Sequence, residues 1–278
     1  MGIFSGCILA CDVDGTLIAN GYINPKNIEK IEYFINEGGY FSLSTGRTVR
    51  AVDHILDGVK RISPSVVDNG CIIYDYENER ILDEVCLAKS DYIIAKKVID
   101  MGLNVGVEVH AETDVITLYT TTETDDHQKY ELLTDKKLSF EDACDYEWNK
   151  VIFLFDNRDD FEKVKAMISK ETTSSSSFVE TTATLYGRKR CYYEQIPTGI
   201  SKATTLDKLC DMLNVKDGCK FAIGDYYNDL EMLKKADLSA VPTDAPEDIK
   251  ACADFIAGTC KDGAVADFID YLSKLRKD

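Results

Sequence analysis

The chain has no uninterrupted apolar run approaching the roughly 18 residues of a bilayer-spanning helix, so an integral membrane protein is not expected. None of its ten cysteines forms a CxxC pair, and its three histidines, His54, His110 and His127, stand far from any cysteine at metal-ligand spacing. A zinc or disulfide framework is therefore disfavoured. The thiols are expected to be reduced, several of them buried as small hydrophobes. Basic charge is also short, with 32 Lys and Arg against 49 Asp and Glu, a formal charge of −17. Such a surface repels a phosphate backbone and argues against nucleic-acid binding. A small anionic substrate is still admissible if a cation and a few basic groups reverse the field locally. The opening, MGIFSGCILACDVDG, has no basic segment before its apolar run, which ends in two aspartates. It reads as a first core strand rather than an export signal, and the expected location is cytoplasmic. No internal repeat of roughly 20–50 residues is visible.

What is present is an ordinary globular composition, 45% apolar and 29% charged over 278 residues, enough for one large domain or two modest ones. The first third alternates an apolar run at 7–13, a helical pattern at 25–37, a strand at 40–44, a helix from about 48 and strands around 65–67 and 71–74. That is the βαβ rhythm of a parallel sheet covered on both faces. From about 84 to 195 the character changes to alternating strands at 104–112, 114–120, 150–156, 177–187 and 190–196, with helical patterns near 126–133 and 159–170. After 200 the first rhythm returns: a helix at 201–213, a strand at 219–223, a helix at 228–235, and strand signals at 238–241 and 253–256. The expected fold is α/β, a Rossmann-like parallel-sheet core from residues 1–83 and 196–278. An α+β domain of antiparallel strands and helices, 84–195, is inserted between them, and such an insertion commonly forms a cap over the core's ligand edge.

The chemistry concentrates in four short segments, DVDGT, STGR, SK and GDYYND. Asp12 and Asp14 are two apart and point the same way from an extended backbone, and Gly15 lets the chain turn at the strand end. Two carboxylates there repel unless a cation lies between them. An ordinary Asp-Gly turn would account for this segment equally well on its own. Asp225 follows a second apolar strand at its C-terminal end, where open α/β sheets bind ligands. Asn228 and Asp229 open the next helix and, taken singly, are explained by capping and the helix dipole. Three acids at two strand ends of one sheet favour a hard divalent cation, and Mg²⁺ suits a phosphate partner. Thr45 and Gly46, after another strand, offer a hydroxyl and backbone N–H groups to an anion, although such a sequence is usually just a turn. Lys202, in the first turn of a helix, reads by default as a surface lysine, mildly unfavourable against the dipole. A phosphate placed among the acids gives it a partner.

In order and spacing these segments, with GISK before the third helix-strand block and ADFI…DGAVADFI at the end, resemble the haloacid dehalogenase superfamily, specifically its Cof-type class IIB phosphatases. The resemblance covers nearly the whole chain and implies a Rossmann-like core with an inserted α/β cap. By it, Asp12 corresponds to the nucleophile that becomes an aspartyl-phosphate. Asp14 corresponds to the general acid and then base, Thr45 with Gly46 to the grip on the phosphoryl oxygens, and Lys202 to the lysine that steadies the nucleophile. Mg²⁺ would be held by Asp12, by the backbone carbonyl of Asp14 and by Asp225, with Asp229 acting mostly from behind. Asn228 would reach the phosphate or a metal water, while Arg47 and Asn69-Gly70 match segments near the substrate entrance. One departure is Tyr226, where many relatives carry a small residue beside the metal-binding aspartate.

The implied activity is hydrolysis of small phosphorylated metabolites, sugar phosphates first. A hexose phosphomutase would share the core chemistry but needs basic groups in the cap. Arg188, Lys189 and Arg190 are candidates, yet a GRKR run between strands reads more readily as a solvated hairpin turn. A non-catalytic phospho-metabolite-binding regulator would keep the fold without the activity. His110, Glu112, Tyr186 and Arg188 are candidates for facing the cleft, and equally for ordinary cap surface.

Overall fold

Ile8–Cys11 is a run of four fully buried residues, the pattern of a strand whose sheet is covered on both faces. It lies inside a five-stranded parallel sheet, ordered Phe255–Ala257, Leu238–Pro242, Lys220–Ile223, Ile8–Cys11 and Tyr40–Leu43. On one face Ile8, Ala10 and Ala222 pack with Leu206 and Leu209 of helix Lys202–Leu213 and with Met232 and Leu233 of helix Leu230–Lys235. Helices Pro25–Asn36 and Ala264–Leu275 pack on each other and on the sheet. They are tied by the buried Asn27 side chain, whose Oδ1 accepts the Ala266 N–H at 2.9 Å. Pro25 stands at the start of its helix, the Asn24 side chain accepts the Lys26 N–H, and the chain turns away at Gly38, φ +90°.

The chain leaves Ile8–Cys11 for the strand on one side and later returns to the strand on the other. That reversal puts a crevice at the carboxyl ends of Ile8–Cys11 and Lys220–Ile223. The computed structural model describes residues 2–55, 59, 62–133, 136–171, 175–185 and 188–276. It divides into one unit of residues 1–46, 55–83 and 201–278 and a second of 47–54 and 84–200. No helix among the described residues is long and apolar enough to cross a membrane. Of the cysteines, Cys7, Cys11, Cys71, Cys219 and Cys260 are buried.

The second unit is built on a six-stranded sheet, ordered Lys136–Lys137, Asp114–Tyr119, Val105–Ala111, Lys150–Phe155, Arg188–Pro197 and Ser176–Leu185. Its pairs are antiparallel except the two-residue Lys136–Lys137 addition, which runs parallel. Alternation sends Val105, Val107, Val109, Val151 and Phe153 to an apolar face packed with Phe161, Val164 and Trp148. Tyr92 stacks on Trp148 with ring centroids 3.8 Å apart. The opposite face carries Glu108, His110, Lys150, Tyr192 and Glu194, polar and yet buried.

Several elements differ from the sequence expectation. Helix Thr122–Tyr130 begins four residues earlier than its apolar pattern, because Thr121 and Thr124 form a reciprocal cap. Helix Ile93–Asp100, strand Arg80–Glu84, the short hairpin Ile18–Ala19 with Tyr22–Ile23, and helix Ala264–Leu275 were not anticipated. Arg190 is not part of a solvated turn. It is 4% exposed and paired with Glu123 and Asp126 of helix Thr122–Tyr130. The fit is physical, since an inward-facing strand position can hold a guanidinium only against carboxylates. Arg188 and Glu112 are exposed and His110 is buried; Tyr186 lies outside the described residues.

Candidate active site

Asp12 continues the sheet register, its N–H donating to Ile223 O at 2.9 Å, so its carboxylate leaves at the strand end beside Asp225. Gly15 turns the chain with φ +84°, and a Cβ there would stand 2.4 Å from Asp225 Oδ2. Only glycine allows the loop this close to the second acid. The next residue, Thr16, donates its hydroxyl to Asp225 Oδ1 at 3.1 Å and fixes that carboxylate.

Lys202 corrects the reading of it as a surface side chain. Its residue is 2% exposed, and Nζ lies 2.5 Å from Asp12 Oδ1 and 2.6 Å from Asp229 Oδ1. The helix that carries it is started by Ser201 in a reciprocal cap with Thr204. The Ser201 hydroxyl also donates to Glu231 Oε2 at 2.7 Å. Asp229 is fully buried, and its Oδ2 accepts the N–H groups of Asp225 and Tyr226 at 3.1 and 3.2 Å. It sits in the 3₁₀ turn Tyr227–Asp229, ahead of helix Leu230–Lys235. A Cβ at Gly224 would be 2.6 Å from the Asp229 Cβ, so the strand must end in glycine for this side chain to fold back. Asp229 thus holds both the lysine and the backbone that presents Asp225, more than a helix-dipole role requires.

Oxygen atoms of Asp12, Asp225 and Asp229 all lie within 4.8 Å of one another. Burial first, then Asp229 and Asp225, push the Asp12 carboxyl well above its usual range against the pull of Lys202. Burial and Asp229 push Asp225 up to about 7. For Lys202, burial works downward, but Asp12 and Asp229 outweigh it and hold the ammonium charged. Three carboxylates against one ammonium leave excess negative charge, and every donor is an oxygen. The residues therefore fit a hard divalent cation. Asp14 is exposed at the loop, outside that trio of carboxylates.

Thr45 is held by two backbone hydrogen bonds, its N–H to Val66 O and the Asn69 N–H to its carbonyl, both 3.0 Å. A Cβ on Gly46 would come 3.0 Å from Asn69 Oδ1, so Asn69 lies directly beside it. Asn69 is left-handed at φ 55°. Gly70 follows at φ +105°, where a Cβ would meet Ser201 O at 2.5 Å, and the Thr205 hydroxyl donates to Gly70 O at 2.7 Å. The Asn69-Gly70 turn is thereby fastened to the helix carrying Lys202. Asn228 is half-buried in the Tyr227–Asp229 turn. Arg47 falls in the second unit, with its guanidinium 5.3 Å from the Tyr130 ring centroid. Thr16, Gly224 and Ser201 were not singled out from sequence. Thr16 closes the DVDGT segment, and that adjacency was the available signal.

A family model described as haloacid dehalogenase-like hydrolase matches residues 9–269, and the chain belongs to this family. A Bacillus subtilis protein named 5-amino-6-(5-phospho-D-ribitylamino)uracil phosphatase is 26% identical over 276 residues, covering 95% of this chain and 94% of that one. A haloacid dehalogenase-like hydrolase from Bacteroides thetaiotaomicron superposes with a TM-score of 0.85 at 19% identity, over 96% of this chain and 99% of that one. A subclass IIB sugar phosphatase of the superfamily gives 0.80 at 17% identity, over 96% and 99%.

Proposed function

We propose that this hydrolase is a Mg²⁺-dependent phosphatase of small phosphorylated metabolites, sugar and polyol phosphates among them, working through an aspartyl-phosphate on Asp12. The observation that carries the reading is Lys202 held between Asp12 and Asp229, with Asp225 completing the acid trio. Named activities of relatives agree with it: one is a phosphatase of a ribityl phosphate and one a sugar phosphatase.

In this mechanism an Asp12 carboxylate oxygen attacks phosphorus, and the P–O bond to the leaving group breaks. Asp14 gives the departing oxygen its proton, then takes one from the water that attacks the aspartyl-phosphate. That second attack releases inorganic phosphate and restores Asp12. Lys202 orients the nucleophile and offsets charge on the transferring group, and Asp229 positions Lys202. Thr45 through its hydroxyl and Gly46 through its N–H grip the phosphoryl oxygens, while Asn69 and Asn228 line the substrate's approach. Mg²⁺, held by Asp12, the Asp14 carbonyl and Asp225 with Asp229 behind them, would supply the positive charge that lets an anionic nucleophile meet an anionic substrate. Residues 84–195 are assigned as the cap, and 1–83 with 196–278 as the catalytic core.

The mutase reading is the weaker one, because Arg190, one of the basic groups it would draw on, is already committed to Glu123 and Asp126. The test is release of phosphate from p-nitrophenyl phosphate and a panel of sugar and polyol phosphates, with and without Mg²⁺, by the wild type and Asp12→Asn. Mg²⁺-dependent turnover that Asp12→Asn abolishes is expected. Turnover that survives in the variant contradicts the mechanism, and a requirement for a sugar bisphosphate would select the mutase.

A further inference from the structure

Two of the ten cysteines stand side by side at the end of the core sheet away from the acids. Ile8 and Lys220 face each other in the register of their parallel strands, and the Ile8 N–H donates to Cys219 O at 2.9 Å. Cys7 and Cys219 are therefore neighbours one step earlier. Side chains alternate along a strand. Ile8 packs with Leu206 and Leu209 of helix Lys202–Leu213, and Lys220 Nζ reaches Asp207 of the same helix at 2.7 Å. Cys7 and Cys219 thus both point to the other face. Adjacent strands lie about 4.8 Å apart, inside the roughly 4.4–6.8 Å between the Cα atoms of a disulfide. The two thiols act on each other, since burial first and Cys219 next push the Cys7 thiol up to about 12.

The surroundings give the two sulfurs different parts. Cys7 is fully buried, whereas Cys219 is 4% exposed and directly follows the exposed pair Asp217-Gly218. Against its Sγ, at 3.4 Å, lies Nη1 of Arg276, an exposed residue at the end of helix Ala264–Leu275 whose Nε donates to Ile3 O at 2.8 Å. Exposed side chains change rotamer within nanoseconds, so a small oxidant reaches this sulfur without the core opening. The guanidinium also favours the thiolate, which is the attacking form. Neither cysteine is held inside the ladder. Each comes directly before its strand, and each follows a left-handed glycine, Gly6 at φ +82° and Gly218 at φ +73°. Backbone there can draw the Cβ atoms to the about 3.8 Å that the bond needs.

Both thiols are free. We propose that Cys7 and Cys219 form an oxidant-responsive pair, closed to a disulfide by peroxide and reopened by thiols, that staples together the two strands presenting Asp12 and Asp225. The Cys219 thiolate attacks one peroxide oxygen and the O–O bond breaks. With one proton taken up, water leaves and Cys219 becomes a sulfenic acid. The Cys7 sulfur then attacks the Cys219 sulfur, and its proton departs with the sulfenic hydroxyl as a second water. The S–S bond forms as two electrons pass from the thiols to peroxide. A dithiol reverses it by exchange.

The experiment exposes the full reduced chain to hydrogen peroxide and denatures it with N-ethylmaleimide present. Chymotrypsin, which cuts after Leu9, separates Cys7 from Cys11 for peptide mass spectrometry. The first disulfide to form should join Cys7 to Cys219 and vanish with dithiothreitol. Tethering residues so far apart in the chain should raise Tm by about 5–10 °C, and dithiothreitol should return it. Cys7→Ser should leave a Cys219 sulfenic acid that dimedone captures, and Cys219→Ser should leave Cys7 unmodified. Sulfinic acid at Cys219 without the cross-link, both thiols intact while other cysteines oxidise, or a first disulfide elsewhere overturns the proposal. The wild type decides the pairing even if a variant fails to fold. Because the pair lies at the far end of its strands from the acids, the readout is the same whether or not the protein turns over a phosphate ester.

Discussion

The ammonium of Lys202 lies 2.5 Å from Asp12 Oδ1 across 190 residues of sequence, and both residues are buried. Its second partner, Asp229 Oδ1 at 2.6 Å, makes the lysine a bridge between two acids rather than half of a simple pair. A charge so placed cannot be removed quietly, because breaking a buried ion pair strands what remains.

Lys202→Met therefore costs both stability and rate. The expected loss is about 3–5 kcal/mol in urea unfolding, with activity down by about 10²–10³-fold or more. Mg²⁺ should restore part of the stability by taking up the stranded negative charge. Unfolding midpoints identical to wild type without Mg²⁺ would contradict the burial of this bridge.

The Asp225 carboxylate is set by two neighbours that never need to touch substrate. Gly15→Ala drives a methyl group into Asp225 Oδ2 from a left-handed backbone position, and Thr16→Val removes the hydrogen bond to Asp225 Oδ1. Each should raise the Mg²⁺ concentration for half-maximal activity by about 10–100-fold, the usual penalty for disturbing groups that orient a metal ligand. Isothermal titration with Mg²⁺ alone reads the same shift. Unaltered Mg²⁺ dependence in both variants would mean that Asp225 does not hold the ion.

Away from the acid cluster, His127 gives the second unit a pH-dependent stability. Burial draws its pKa down, but Glu108 and Glu131 prevail and raise it to about 9, with Lys150 opposing. A folded value above the unfolded one of about 6.5 means that the charged histidine stabilises fully below that pH and loses its contribution as pH climbs through 9. Thermal unfolding should show a fall in Tm over that interval, and His127→Gln should flatten it. A Tm that rises with pH in the wild type would reverse the sign.

The tightly packed apolar face offers a plainer check. Trp148 is fully buried, stacked on Tyr92, with Nε1 donating to Ala143 O at 2.8 Å. Trp148→Phe removes that hydrogen bond, leaves Ala143 O to the Tyr146 N–H alone at 3.0 Å and makes the stack incomplete, and a loss of about 1–3 kcal/mol is expected from unfolding curves.

Local patterns in the sequence carried the parallel core and the acids, because both are written at short range. The Ile8–Cys11 run is apolar throughout, and Asp12, Asp14 and Asp225 follow strand ends directly. From local pattern alone Lys202 is a charge placed awkwardly at a helix start, and only the family resemblance pairs it with the nucleophile, since its burial depends on Asp12 and Asp229 arriving from distant parts of the chain. Arg190 was misread for the same reason: GRKR looks like a turn until Glu123 and Asp126 are brought against it from 67 and 64 residues away. Helix Ile93–Asp100 was missed because its β-branched Ile93, Ile94, Val98 and Ile99 fit a strand as readily, and helix packing through Ile94, Ala95 and Val98 decides the matter.

The account stands most directly on a covalent bond to Asp12. Turnover of p-nitrophenyl phosphate with Mg²⁺, quenched with borohydride and followed by peptide mass spectrometry, reduces an aspartyl-phosphate to homoserine at the residue that carried it. The account predicts homoserine at position 12 in the wild type, only when substrate and Mg²⁺ are both present. Rapid phosphate release with aspartate intact at position 12, or reduction at another carboxylate, would contradict it.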